Sequence, residues 1–161
     1  MDLNFSAEEV AFRDEVRAFV ATRLPDDIRD RVRRGDERHV ADDLRRWQRI
    51  LFEHGWGATM WPAEFGGTGW DKTPQYLFDI ECVTGDAPIQ LPFGLKMVAP
   101  VIMRYGSDAQ KARFLPRILD GTDWDIYGMD MQADRIADLM SEPRFHFFEG
   151  DITINREWIE Y

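Results

Sequence analysis

The sequence predicts a mainly helical protein, a bundle of amphipathic helices followed by a small strand, helix, strand (βαβ) appendage, and three observations carry that prediction. Apolar residues recur at helical spacing in five stretches before residue 122. Helix punctuation bounds those stretches: Ser6 with Glu9 and Ser107 with Gln110 form capping boxes, and Pro25, Gly55, Gly85 and Gly121 stand where helices should stop. Charge and periodicity then change together. Residues 1–54 hold 13 acids and 11 bases, residues 55–124 hold 8 and 6, and residues 125–161 hold 9 and 3. Of the net charge of −10, −6 therefore sits in the last 37 residues, and a boundary is expected near Trp124, dividing residues 1–124 from residues 125–161.

The opening helix follows from its cap. Phe5 and Val10 stand at the staple positions, and Phe12, Val16, Phe19 and Val20 make one apolar face until Pro25 ends it. In the segment from Ile28 to Arg38 the arginines are interleaved with Asp30, Asp36 and Glu37, just after Asp26 and Asp27, which predicts a face of ion pairs rather than a basic patch. From Val40, Leu44, Trp47 and Leu51 recur as a second amphipathic helix with Gly55 at its C-terminal cap. The loop from Gly55 to Gly69 contains Trp56, Trp61, Pro62 and four further glycines, a composition expected of a packed loop. Thr73 and Pro74 should open the next helix, running through Leu77, Ile80 and Cys82 to about Gly85. Pro92 to Tyr105 is apolar around most of its circumference and is expected to be the buried, central helix. Ser107 starts the last helix of the bundle, through Phe114, Leu115, Ile118 and Leu119. Beyond it, Asp125–Met131 and Arg144–Glu149 read as strands and Gln132–Met140 as a helix between them.

Composition narrows the function. A chain of 161 residues with 44% hydrophobic content suits one domain and a fraction. At net charge −10 it should repel nucleic acid and anionic membrane surfaces. Its beginning has neither the basic nor the apolar region of a signal peptide, and a cytoplasmic location is expected. Cys82 is the lone cysteine, which excludes an internal disulfide, and its apolar helical context suggests a small buried hydrophobe rather than a nucleophile. His39, His54 and His146 lack the spacing of metal ligands, and no metal site is expected. Gly66, Gly67 and Gly69 could cradle phosphate, but the G-K-[ST] ending of a P-loop is absent. Asp130, at the end of a predicted strand, has the position of a ribose-binding acid, yet no G-x-G-x-x-G precedes it at the required distance.

Several ordered motifs in residues 1–124 carry a family resemblance: the helix DLNFSAEEVAFRDEVRAFV, Trp61-Pro62-Ala63-Glu64-Phe65-Gly66-Gly67, Tyr105-Gly106-Ser107-Asp108-Ala109-Gln110-Lys111, and Phe114-Leu115-Pro116-Arg117-Ile118-Leu119-Asp120-Gly121. They resemble the N-terminal helical domain of acyl-CoA dehydrogenases. The resemblance implies an FAD enzyme acting on acyl-CoA, in which a glutamate removes the α-proton and the flavin takes a hydride from the β-carbon. It assigns Ile89, Phe93, Lys96 and Met97 to one wall of the acyl pocket and identifies no catalytic residue in this stretch. The flavin-contacting and base-bearing segments of that family find no match after Trp124, so these residues are expected to be inactive alone, and the uncovered surface to self-associate as a homo-oligomer or scaffold.

Residues 125–161 instead resemble an internal piece of extended short-chain dehydrogenase/reductases, of the UDP-glucuronate-decarboxylating kind. The residues are Ile126-Tyr127-Gly128-Met129-Asp130, Phe145-His146-Phe147, Glu149-Gly150-Asp151-Ile152 and Glu157-Trp158-Ile159-Glu160-Tyr161. This second resemblance implies a vestigial adenine-nucleotide site at Asp130, Asp151 and Ile152, and a chain of chimeric origin.

Overall fold

The computed structural model describes residues 5–36, 40–90, 92–122, 126–130 and 145–149. Two compact units are present, Met1–Thr122 and Asp123–Tyr161.

The first unit is helical. Helix α1, Ala7–Arg23, opens on the expected capping box: the Glu9 amide donates to Ser6 Oγ at 3.2 Å, and the Ser6 amide donates to a Glu9 carboxylate oxygen at 2.7 Å. It packs against α4, Lys72–Thr84, while α2 (Asp26–Arg34) and α3 (Val40–Glu53) lie between them in sequence. Their first core joins Val16, Phe19 and Val20 of α1, Ile28 of α2, Trp47 and Leu51 of α3, Trp56, and Phe78 and Cys82 of α4. Trp56 is its aromatic hub, with the rings of Phe12, Phe19, Trp70 and Phe78 around it at centroid distances of 6.1, 4.8, 5.7 and 5.8 Å.

The arginine-rich segment forms the helix α2 over its described part, and three of its arginines are held by carboxylates, two of them with partners beyond the segment itself. Arg31 holds both Asp27 and Asp43, Arg46 holds Asp27, and Arg33 holds Asp86. Helix α4 begins earlier than its sequence suggests, with Asp71 rather than Thr73 at the cap, so Pro74 sits inside the first turn. Proline is tolerated there because the first-turn amides have no intrahelical partner. Ile80, through which the helix runs, is exposed, and Glu81 is buried in the stripe with Leu77, Phe78 and Cys82.

The largest departure is the stretch 92–105. It is not the central helix. It consists of a π-helical segment, Phe93–Val98, continued by the short helix α5, Ala99–Tyr105. Only Leu95 and Ala99 are buried, while Phe93, Met97, Val98, Val101 and Tyr105 are exposed. An all-round apolar sequence signals two apolar contacts, and within these residues one of the two is left open. The buried side joins a second core with Ala58, Trp61, and Leu115 and Leu119 of α6, Asp108–Leu119. Helix α6 has the second capping box, with the Gln110 amide donating to Ser107 Oγ at 3.2 Å.

In the second unit, β1 (Ile126–Asp130) and β2 (Phe145–Glu149) pair in parallel, with Ile126 opposite Phe145 and Asp130 opposite Glu149. The helix expected over Gln132–Met140 lies outside the described residues.

Candidate functional site

The open side of the 93–105 stretch is the most distinctive surface of the first unit. Phe93 is 65% exposed, Met97 58% and Val101 54%, and Ile89, in the preceding segment, is 74% exposed. Buried Leu95 and Ala99 on the opposite side anchor the stretch on the second core. Of the predicted wall residues, Phe93, Lys96 and Met97 therefore share one helical segment, with Ile89 ahead of it; all four are exposed.

Lys96 alone of the four lines an open groove of about 340 Å³. One bank is Met60, Trp61 and Pro62; the other is Leu95, Lys96, Pro100, Met103 and Arg104. The Trp61 indole donates to the Leu95 carbonyl at 2.7 Å, which ties the two banks together and satisfies a donor that is otherwise buried. Gly67 makes this arrangement possible, since a Cβ there would overlap the Trp61 backbone. The glycines at 66 and 67 are thus accounted for by packing: Gly66 takes φ +83°, and Gly67 provides a close approach.

Sequence reasoning missed the polar node behind this surface. Gln48 of α3 is buried, and its amide donates to the carbonyls of Gly57 and Leu119, both at 2.8 Å. Gln90, next to Ile89, donates to Gln48 Oε1 at 2.6 Å and to the Gly57 carbonyl at 2.9 Å. One side chain therefore joins α3, the tryptophan loop, the end of α6 and the segment entering 93–105. A signal existed. Gln48 lies at i+4 from Leu44, inside the apolar stripe, as Glu81 does in α4.

Of the remaining candidates in the first unit, Cys82 and His54 are described. Cys82 is buried, and that burial, followed by the nearby Asp79 and Glu81 charges, pushes its thiol up to about 12. His54 stands against the rings of Phe19 and Trp56, at 4.2 and 4.3 Å. His39 lies outside the described residues. Among the described residues, no group of three or more His, Cys, Asp and Glu is placed to hold a metal. No helix among them is long and apolar enough to cross a membrane. Asp130 ends β1, whereas Asp151 and Ile152 lie outside the described residues.

The large buried polar side chains show whether a flavin fits. Glu81 accepts from Arg17 at 2.9 and 3.0 Å, Asp43 accepts from Arg31 at 2.6 Å through both oxygens, and Gln48 is occupied as described. None of these groups is directed into the groove, whose lining is apolar apart from two cations. The described residues by themselves do not form a cradle for the polar edge of FAD.

Comparison with known proteins agrees with the helical architecture. The family model described as acyl-CoA dehydrogenase, N-terminal domain, matches residues 6–122. Acyl-CoA dehydrogenase FadE26 of Mycobacterium tuberculosis is 34% identical over 123 residues, 75% of this chain and 30% of that protein. Acyl-CoA dehydrogenase IpdE1 of Mycolicibacterium smegmatis is 33% identical over 116 residues, 70% of this chain and 30% of the relative. Among solved structures, the ChsE4-ChsE5 complex from Mycobacterium tuberculosis superposes with a TM-score of 0.60 at 29% identity, over 80% of this chain and 31% of the matched one. The Tcur3481-Tcur3483 steroid ACAD gives 0.64 at 33% identity, over 80% and 32%. This chain thus spans about 30% of the length of the relatives it matches. The family match ends at residue 122 and lends nothing to the short-chain dehydrogenase/reductase resemblance of residues 125–161. Through residues 6–122, the chain belongs to the acyl-CoA dehydrogenase family.

Proposed function

We propose that the helical unit acts as the N-terminal domain of an FAD-dependent acyl-CoA dehydrogenase and supplies one wall for the acyl chain, through Ile89, Phe93, Lys96 and Met97. The observation that carries this reading is the open apolar side of 93–105, anchored from behind by Leu95 and Ala99 in the second core. Such a wall excludes water and aligns a chain without doing chemistry itself. The 161 residues alone are inactive on this reading. The carboxylates of Asp43 and Glu81 are locked in ion pairs, so neither is available to take an α-proton, and the described residues make no flavin cradle.

The test is a chimaera in which residues 6–122 replace the matching segment of FadE26. Turnover of an acyl-CoA substrate by the chimaera, with KM raised about tenfold by Phe93→Asp, supports the wall. A chimaera that folds and turns over substrate with no response to Phe93→Asp removes it.

The same surface favours a second reading, association with another copy or another chain of the family. Its support is the contiguous exposure of Phe93, Met97, Val101 and Tyr105, since apolar patches of this kind tend to be covered. One solved relative is itself a complex, ChsE4-ChsE5.

A further inference from the structure

The bases of the first unit are unevenly paired. Arg13, Arg17, Arg29, Arg31, Arg33, Arg45 and Arg46 all hold carboxylates, as expected in a chain with 30 acids and 20 bases. Among the described residues the side chains of Arg23, Arg34, Arg49, Lys72, Lys96, Arg104 and Lys111 have no ion-pair or hydrogen-bond partner, and of these Lys96 and Arg104 line the same groove. The rest of that groove is apolar, lined by Met60, Trp61, Pro62, Leu95, Pro100 and Met103, with Trp61 tied to Leu95 by its hydrogen bond. Methionine side chains adapt to irregular apolar shapes. A volume of about 340 Å³ falls within the range of small-molecule sites.

Two unpaired cations on an apolar trough select for a ligand with an apolar body and a negative group. A neutral chain would leave the guanidinium and ammonium unsatisfied where the ligand covers them, whereas a carboxylate accepts charge-assisted hydrogen bonds from both. We infer that the groove lined by Lys96 and Arg104 binds hydrophobic carboxylates, so that the acyl group met by this domain carries a carboxylate on its apolar portion, away from the thioester. This inference rests on the acyl-wall reading, because Lys96 belongs to both.

The test is calorimetric titration of the 161-residue protein with dodecanoate and with 1-dodecanol, each kept below its aggregation limit. Dodecanoate is expected to bind about tenfold more tightly than dodecanol. In a Lys96→Gln, Arg104→Gln double variant that preference disappears while dodecanol binding is retained. Both side chains are exposed, so the variant should keep its fold, as checked by circular dichroism. Equal affinity for the two probes, no binding of either, or a preference that survives the double substitution overturns the inference. The wall reading is judged separately: a chimaera that turns over an unsubstituted acyl-CoA, with the Phe93→Asp effect, leaves the wall standing even if the carboxylate preference fails.

Discussion

Asp43 shows how much of the domain's stability hangs on single charges. It is buried at the start of α3, and Arg31 of α2 grips both of its oxygens at 2.6 Å. Asp43→Asn would leave a half-buried guanidinium without its main counter-charge, and urea unfolding should show a loss of about 3 kcal/mol. Asp27, in the same network, is half exposed, so Asp27→Asn should cost under about 1 kcal/mol. Hydrogen bonds from Arg46 and then Arg31 hold the Asp27 carboxyl well below its ordinary range. Its contribution is therefore fully present above the ordinary carboxylate pKa and fades as pH falls below it toward the depressed folded value. Unfolding measured between pH 6 and pH 2 should show a shallower acid loss in Asp27→Asn than in the wild type. Cys82 gives a simpler check. With its thiol raised to about 12 by burial, it should react with a disulfide reagent at neutral pH only after unfolding in urea.

Between elements, the Gln48 and Gln90 node joins two separate hydrophobic cores. Gln48→Leu would strand the buried carbonyl of Leu119 and leave that of Gly57 to Gln90 alone, at a cost of about 1–3 kcal/mol. Hydrogen exchange should then rise at the end of α6 and at the amides of Ala87, Ile89 and Gln90, while α1 and α4 keep their protection. Gly67→Ala should destabilise by about 1–3 kcal/mol, because the added methyl meets the Trp61 backbone rather than a movable side chain. These contacts also show what sequence periodicity can reach. Both capping boxes and the Val16, Phe19 and Val20 face were legible because each is local, fixed by residues three or four apart. The partner of Arg31 in α3 and the reach of Gln48 to Leu119 depend on tertiary placement, which no local spacing encodes. The 92–105 stretch misled for a related reason. Apolar sequence reports that a surface needs covering, without reporting whether the cover lies within the same 161 residues.

For the molecule as a whole, that uncovered side is the feature on which the proposed function rests. Its exposed residues sit on a domain that belongs to the acyl-CoA dehydrogenase family and spans about 30% of its relatives. Left open, the side should drive association: light scattering after size-exclusion chromatography should give a mass above 18.9 kDa, and Val101→Asp should return the protein to the monomer. The parallel pair β1 and β2 forms a unit of its own, and nothing in the acyl-wall proposal depends on it. The claim that this polypeptide contributes a wall but not the reacting groups is tested most directly by the visible absorption spectrum of the purified 161-residue protein after incubation with FAD and gel filtration. A colourless protein that does not reduce an artificial electron acceptor in the presence of acyl-CoA is the expected result, and a retained flavin band with acyl-CoA-dependent bleaching would contradict it.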